Sequence, residues 1–249
     1  MKRYNAVILA AGRGSRMGDS TKKSHKCLTI LMGKTLLDWQ LMALESSGIK
    51  NITVVGGYRS NMLNGKFNKL VNSRWSETNM VSSFFCYPKI KTETIVSYSD
   101  IVYSKTHVSS LMKVDGDIVI LADKAWLKLW SIRFSNPLSD AESFKTEGNV
   151  LKEIGKSENK IENIQAQYMG LLKFSPKGWV IANEAYNLLK KKDQDQIDMT
   201  SFLSILIKKT TIKVAFITGG WCEVDSNSDV SVYERCLTNN KKFSHDWRN

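Results

Sequence analysis

Six apolar runs recur along the chain at lengths that suit strands: AVILA from Ala6, NITVV from Asn51, TIVSY from Thr94, DIVIL from Asp117, YMGLLKF from Tyr168 and TIKVAFI from Thr211. Between them lie segments with helical spacing of apolar residues, among them LLDWQLMALESSG from Leu36 and SFLSILIKK from Ser201. Alternation of this kind predicts an α/β fold with a Rossmann-like, mostly parallel sheet flanked by helices. The chain has only three prolines, no low-complexity linker and no internal repeat, so one domain over residues 1–249 is the economical organisation. Residues 125–165 are richer in charge and less regular. They are expected to form a small insertion or subdomain over one edge of the sheet.

The first strand runs into LAAGRGSRMG, residues 9–18, which places Gly12, Gly14 and Gly18 in ten positions. Glycine tolerates positive φ and lets an anion approach the main chain, so a strand followed by such a loop is suited to phosphate. Spacing separates the families that use loops of this sort. A dinucleotide fingerprint needs GxGxxG and a carboxylate about 20 residues on. Here the spacing is GxGxxxG, and the second strand ends in Gly56, Gly57 and Tyr58. A P-loop needs GxxxxGK[ST]; Gly33, Lys34 and Thr35 supply its end, but the upstream glycine position holds Leu28. That GKT reads as a turn entering the helix at Leu36.

Composition narrows the setting. A hydrophobic content of 42% over 249 residues is enough to bury a sizeable core. No run approaches the roughly 20 apolar residues of a membrane span, and MKRYN leads straight into a strand without a signal pattern, so a cytoplasmic protein is expected. Cys27, Cys86, Cys222 and Cys236 lie far apart and read as reduced thiols. The net charge of +12 favours an anionic partner. The basic residues are dispersed, however, the longest cluster being Lys190–Lys192, with no aromatic interleaving. Neither nucleic acid nor a membrane is expected as a partner.

LAAGRGSRMG, Lys26 in HKCL and GKTLLDWQLMALESSGIKNITVVGGY together resemble the N-terminal signature of the nucleotidyltransferases that join a nucleoside triphosphate to a sugar phosphate or phosphorylated alcohol. The resemblance continues through YSDI, DGDIVILADKAW, YMGLLKFSPKGW and WCEVDSNSDV, and so covers essentially the whole chain. Within that superfamily DKAW and the following DAE are similar to the small cytidylyltransferases that activate phosphocholine, 2-aminoethylphosphonate or phosphoglutamine. The resemblance implies transfer of CMP from CTP to a small phosphorylated, amine-bearing acceptor, with Mg²⁺ as cofactor. It also implies a role in decorating cell-surface polysaccharide, such as capsule, or in phosphonate chemistry. A uridylyl- or thymidylyltransferase acting on a hexose 1-phosphate is the nearest alternative, and an inactive nucleotide-binding regulator is the alternative from another class.

The chemistry accounts for the residue types. An anionic acceptor oxygen attacks the α-phosphorus in line and pyrophosphate leaves, so the difficulty is crowded negative charge rather than a missing base. By resemblance, Asp100 and Asp225 are metal ligands, and Lys26 neutralises the α-phosphate and the acceptor phosphate. Glu223 shares a face of an extended strand with Asp225, and Asp229 follows; either can be ligand or helix cap, and only the resemblance prefers Asp225. Arg16, or Arg13 in its place, suits the β and γ phosphates. Leu9, Ala10, Ala11, Gly12, Arg13, Gly14 and Ser15 are expected to hold the nucleotide, with Asn79 and Ser82 resembling the asparagine and serine of the cytidylyltransferase branch; Asn79 can equally cap a helix. Acceptor contacts are expected from Lys124, Trp126, Asp140 and Glu142, with Trp130 nearby, because carboxylates and aromatic faces suit an ammonium group. His25 stands where the family has proline, which puts the rigidity of the Lys26 turn in question.

Overall fold

The computed structural model describes residues 2–239 and 242–248. In chain order the elements are β1 (Tyr4–Ala10), α1 (Ser20–Lys23), β2 (Ile30–Leu31), β3 (Lys34–Thr35), α2 (Leu36–Ser46), β4 (Asn51–Gly56), β5 (Asn68–Val71), α3 (Met80–Phe85), β6 (Glu93–Tyr98), β7 (Ile101–Tyr103) and α4 (Lys105–Lys113). They continue with β8 (Ile118–Asp123), α5 (Trp126–Arg133), β9 (Glu142–Glu147), β10 (Val150–Ser157), β11 (Gln167–Phe174), α6 (Pro176–Asn187), α7 (Lys191–Gln196), α8 (Met199–Leu206), β12 (Ile212–Ile217), β13 (Trp221–Glu223) and α9 (Asn227–Thr238).

Nine strands form one sheet in the order β5-β4-β1-β6-β11-β8-β12-β10-β9. β1 pairs in parallel with β4 and β6, whereas β11 runs against both β6 and β8. The apolar runs become its central strands: β8 is buried at every position, and β1 over its last five. Helices cover both faces of such strands, which is why the runs are continuous rather than alternating. Because β11 is reversed, its first residue Gln167 sits opposite Asp123, the last of β8. The C-terminal ends of β1, β6 and β8 therefore share one edge with the start of β11.

Two local expectations meet their structural outcome here. The GKT stretch is a hairpin, with Ile30 paired to Thr35 and the turn at Met32 and Gly33 in positive φ. Thr35 then caps α2 through a reciprocal box with Asp38. Within residues 125–165, α5 is followed by the β9–β10 hairpin, β10 lying beside β12 and β9 at the edge of the main sheet.

A two-stranded ribbon outside the main sheet decides where the chemistry sits. β13 pairs antiparallel with β7, Glu223 opposite Ile101, and Val224 N–H donates to the Asp100 carbonyl at 2.8 Å. That register places the residues just after β13 against the residue just before β7. The buried carboxylate of Asp123 anchors the ribbon, accepting from Gly219 N–H (2.9 Å), Trp221 Nε1 (2.9 Å) and Ala125 N–H (2.8 Å), with His245 Nε2 at 2.8 Å. Removing one member of a buried hydrogen-bonded charge cluster typically costs about 3–5 kcal/mol. Asp123→Ala is expected to lower the unfolding free energy by about that much, measured by urea titration; a loss under about 1 kcal/mol would show that the donors find other partners.

Candidate active site

The glycine loop leaves β1 at Ala10 and turns back over Lys26. Gly14 has φ +67°, and a Cβ there would lie 2.8 Å from Cβ and Cδ of Lys26, so a side chain at this position would displace the lysine. A Cβ on Gly12, by contrast, would meet nothing within 4 Å. It would project into a cleft lined by the loop, Lys26, Trp75, Asn79 and Asp100.

His25 supplies the rigidity that a proline would have given. Its ring is buried, with Nε2 2.7 Å from the Ala10 carbonyl, and Nδ1 accepts the Cys27 N–H at 3.3 Å. With Nδ1 accepting, the proton resides on Nε2, which donates to Ala10. Burial holds the imidazole below its ordinary pKa, despite the opposing pull of that carbonyl, and so favours this neutral form.

Lys26 Nζ bridges two carboxylates, Asp100 Oδ2 at 2.7 Å and Asp225 Oδ1 at 2.9 Å. Arg16 reaches the same Asp225 oxygen at 2.8 Å. Beneath them lies Arg133, its side chain wholly buried, donating to Glu223 (2.8 Å), Asp225 (2.9 Å) and Asp229 (3.2 Å). Burial works to strip the proton from Lys26, but the two aspartates more than offset it and hold the ammonium charged. Burial likewise opposes ionisation of Asp225, yet Lys26, Arg16 and Arg133 keep its carboxyl below the usual range. Glu223 goes the other way: burial and the charges of Asp225 and Asp100 outweigh Arg133 and push it up to about 7.

Asp100, Glu223 and Asp225 each offer an oxygen within 4.8 Å of the others. Among the described residues Asp100 Oδ1 is buried without a hydrogen-bond partner. An all-oxygen set with one unused buried lone-pair site fits a hard divalent cation. Asp229 is the N3 residue of a capping box with Ser226, the N-cap of α9, its Oδ2 accepting from Ser226 N–H and Asp225 N–H.

The remaining expected residues divide. Leu9, Ala11, Gly12 and Gly14 line the cleft; Ala10, Arg13 and Ser15 do not. The Ala10 carbonyl is occupied by His25, and Arg13 lies over the Tyr58 ring at 5.9 Å. Asn79 lines the cleft and also caps α3, accepting from Met80 N–H and donating to the Gln196 carbonyl. Ser82 faces away, bonded to Tyr186 and to the Gln194 carbonyl, so Ser83 stands in the cleft instead. Lys124 packs its ammonium 4.3 Å above Phe216 and makes no ion pair among the described residues. Trp126 and Trp130 are 3% and 4% exposed, core aromatics rather than pocket walls. Asp140 accepts from Trp130 Nε1 and lies 3.9 Å from Arg16; Glu142 accepts from Thr200 Oγ1. Sequence reasoning passed over Arg133, since an arginine on a helix reads as solvated, and no local signal marks it as the hub of three carboxylates.

A cleft floored by a phosphate-type loop, with a caged lysine beside an acidic trio at the strand ends, is the layout of a nucleotidyl-transferring enzyme. Residues 6–152 match the MobA-like NTP transferase domain, and the chain belongs to that family. It is 40% identical to CTP:phosphoglutamine cytidylyltransferase of Campylobacter jejuni subsp. jejuni, over 92% of this chain and 98% of that protein. It is 33% identical to choline-phosphate cytidylyltransferase of Haemophilus influenzae, over 41% of this chain and 46% of that one. The fold superimposes on the inositol-1-phosphate CTP transferase from T. maritima with a TM-score of 0.73, covering 97% and 98% of the two chains at 18% identity.

A proton held by Glu223 in the folded state but not in the unfolded one adds stability at pH 5 that is lost as pH rises toward 7. The buried neutral histidines, with lowered pKa, contribute the opposite slope in that window, so the comparison must be with a variant. In chelator-treated protein, Glu223→Gln should be stabilised relative to wild type more at pH 7.5 than at pH 5, as followed by urea unfolding. A pH-independent difference would show that Glu223 is ionised throughout.

Proposed function

We propose that this protein is a cytidylyltransferase that transfers CMP from CTP to a small phosphorylated acceptor bearing a primary ammonium group, with release of pyrophosphate. The observation that carries the reading is the caged Lys26, held between Asp100 and Asp225 at the mouth of the glycine-loop cleft. In that position its ammonium can serve the α-phosphate and the incoming acceptor phosphate alike. Arg16, largely exposed, is placed to exchange Asp225 for triphosphate oxygens. An acceptor phosphate oxygen forms the new bond to the α-phosphorus as the bond to the β-phosphate bridging oxygen breaks, and the electron pair leaves with pyrophosphate. No general base is needed.

Asp100, Asp225 and Glu223 would hold Mg²⁺, which supplies charge neutralisation at the α-phosphate when bound. Arg133 keeps the carboxylates converged without itself reaching substrate.

The amine on the acceptor is supported by Glu142. Its carboxyl is raised by burial and by neighbouring Asp198 and Asp140, despite the Thr200 hydrogen bond, so a cation there would relieve the repulsion. Trp126 and Trp130 are too buried to form an aromatic cage, which favours a primary ammonium with N–H donors over a quaternary one. The relative that acts on phosphoglutamine agrees with that preference. We place the product as an activated group for cell-surface polysaccharide, made in the cytoplasm; among the described residues no helix is long and apolar enough to cross a membrane.

Pyrophosphate release, measured with Mg²⁺ for CTP, UTP, dTTP, ATP and GTP against phosphoglutamine, 2-aminoethylphosphonate, phosphocholine and glucose 1-phosphate, tests this directly. The expected result is CTP-dependent release with a primary-amine acceptor. Release confined to UTP or dTTP with glucose 1-phosphate would establish the uridylyl or thymidylyl alternative. In the same assay Lys26→Ala should lower kcat by roughly 10²–10³-fold, as for other fixed charges acting on a developing oxyanion, and wild-type turnover would remove Lys26 from the reaction.

A further inference from the structure

Trp75 sits in the cleft wall. Its turn is held from below. Asn72, 5% exposed, receives the Arg74 N–H at 3.0 Å and donates to Thr78 Oγ1 (2.9 Å) and Ser83 Oγ (3.0 Å), while its own N–H bonds the Gly56 carbonyl at 2.8 Å. Arg74 locks the far side through a two-pronged pair with Asp195, at 3.0 and 2.7 Å. The indole between these anchors is only partly buried, and its Nε1–H bonds no described residue. Tyr58 packs against it edge-on, with centroids 5.2 Å apart and planes at 64°.

The backbone opposite is shaped to admit this ring. A Cβ on Gly57 would lie 2.5 Å from Cβ of Trp75 and 2.7 Å from the Ala11 carbonyl oxygen. Glycine at 57 thus brings the indole directly beside Ala11, at the mouth of the phosphate loop, in the cleft that also contains Gly12 and Asn79. A rigidly held, solvent-facing aromatic at the end of a phosphate site offers what a planar heterocycle needs: apolar area and a π-face, with no ordering cost at binding.

We infer that Trp75 is a base-contacting residue, the aromatic wall against which the pyrimidine of the nucleotide packs, and that it sets affinity for the nucleoside rather than for the phosphates. The inference rests on the nucleotidyltransferase reading of the cleft but not on which pyrimidine is used. Stacking on an aromatic side chain is sequence-tolerant, so cytosine selection falls to hydrogen-bonding groups such as those of Asn79 and Ala11.

The test is calorimetric titration of the full chain, in Mg²⁺ and without acceptor, with CTP and with inorganic pyrophosphate, which shares the phosphate subsite and carries no base. Trp75→Leu should weaken CTP about tenfold and leave pyrophosphate within about twofold, while Trp75→Phe, retaining a π-face, should return CTP to within about threefold of wild type. Unchanged CTP affinity in Trp75→Leu overturns the inference. So does parallel weakening of CTP and pyrophosphate, which would mean that the ring only shapes the loop. A wild type that binds UTP in preference to CTP refutes the cytidylyl reading instead, and the same comparison made with UTP still decides Trp75.

Discussion

Charge balance around Asp225 is the constraint on which the rest of the structure depends. One of its oxygens is contacted by Lys26 and Arg16, the other by Arg133, and Glu223 and Asp100 crowd the same space. Carboxylates this close repel strongly wherever water is excluded, so the fold holds them together only because three cations interleave them. They come from distant stretches of chain. The β7–β13 register brings Asp100 to Asp225, the glycine loop delivers Arg16, the turn after His25 delivers Lys26, and α5 delivers Arg133 from below. Asp123 is the mechanical counterpart, since it fixes the Gly219 turn and Trp221 from which β13 departs.

The three cations are not equivalent, and the difference follows from exposure. Arg133 is sealed in and bonds three carboxylates, so leaving them would cost it both its partners and its solvation. Arg16 is 63% exposed at its side chain, so it can exchange a carboxylate for another anion at little solvation cost, whereas Lys26, 8% exposed in the cleft wall, is held by both aspartates. A sealed cation thus keeps the acids converged, while the exposed Arg16 can turn from Asp225 to another anion. The surplus of positive charge on the whole chain has no part in this, because the deciding charges lie within contact distance.

How legible all this was in the sequence depended on how local each signal is. The continuous apolar runs identified β1, β4, β6, β8, β11 and β12 because strands covered on both faces need no polar partner. Three-residue strands such as β7 and β13 carry no periodicity and exist only by pairing with each other. The same division governs the site. Lys26 and Asp100 follow legible landmarks, a glycine loop and a strand end, whereas only the resemblance preferred Asp225 to Glu223; the structure brings all four together. Arg133 is legible only once its three acids are assembled, whereas Trp126 and Trp130, read as pocket walls, lie in the core because α5 turns them toward each other and toward Trp221. The doubt over His25 came from treating proline as the only way to stiffen a turn, when a buried ring bonded at both nitrogens does the same.

One short stretch of chain ties the wall that carries Trp75 and Asn79 to the acids around Glu142. Asp195 grips Arg74 with its side chain and Asn79 with its carbonyl, Gln194 takes Ser82, and Gln196 takes the Asn79 amide. Two residues further on, Asp198 caps α8, and the Thr200 hydroxyl, with one proton to donate, lies between Asp198 Oδ1 at 3.0 Å and Glu142 Oε1 at 3.3 Å. The wall carrying Trp75 and Asn79 and the acids around Glu142 thus hang from opposite ends of residues 194–200. Neither can move by much without pulling on the other through hydrogen bonds of ordinary length. Under the proposed function, that shared support would give nucleotide and acceptor a fixed mutual geometry before either is present, which is the entropic requirement of an in-line displacement between two bound reactants.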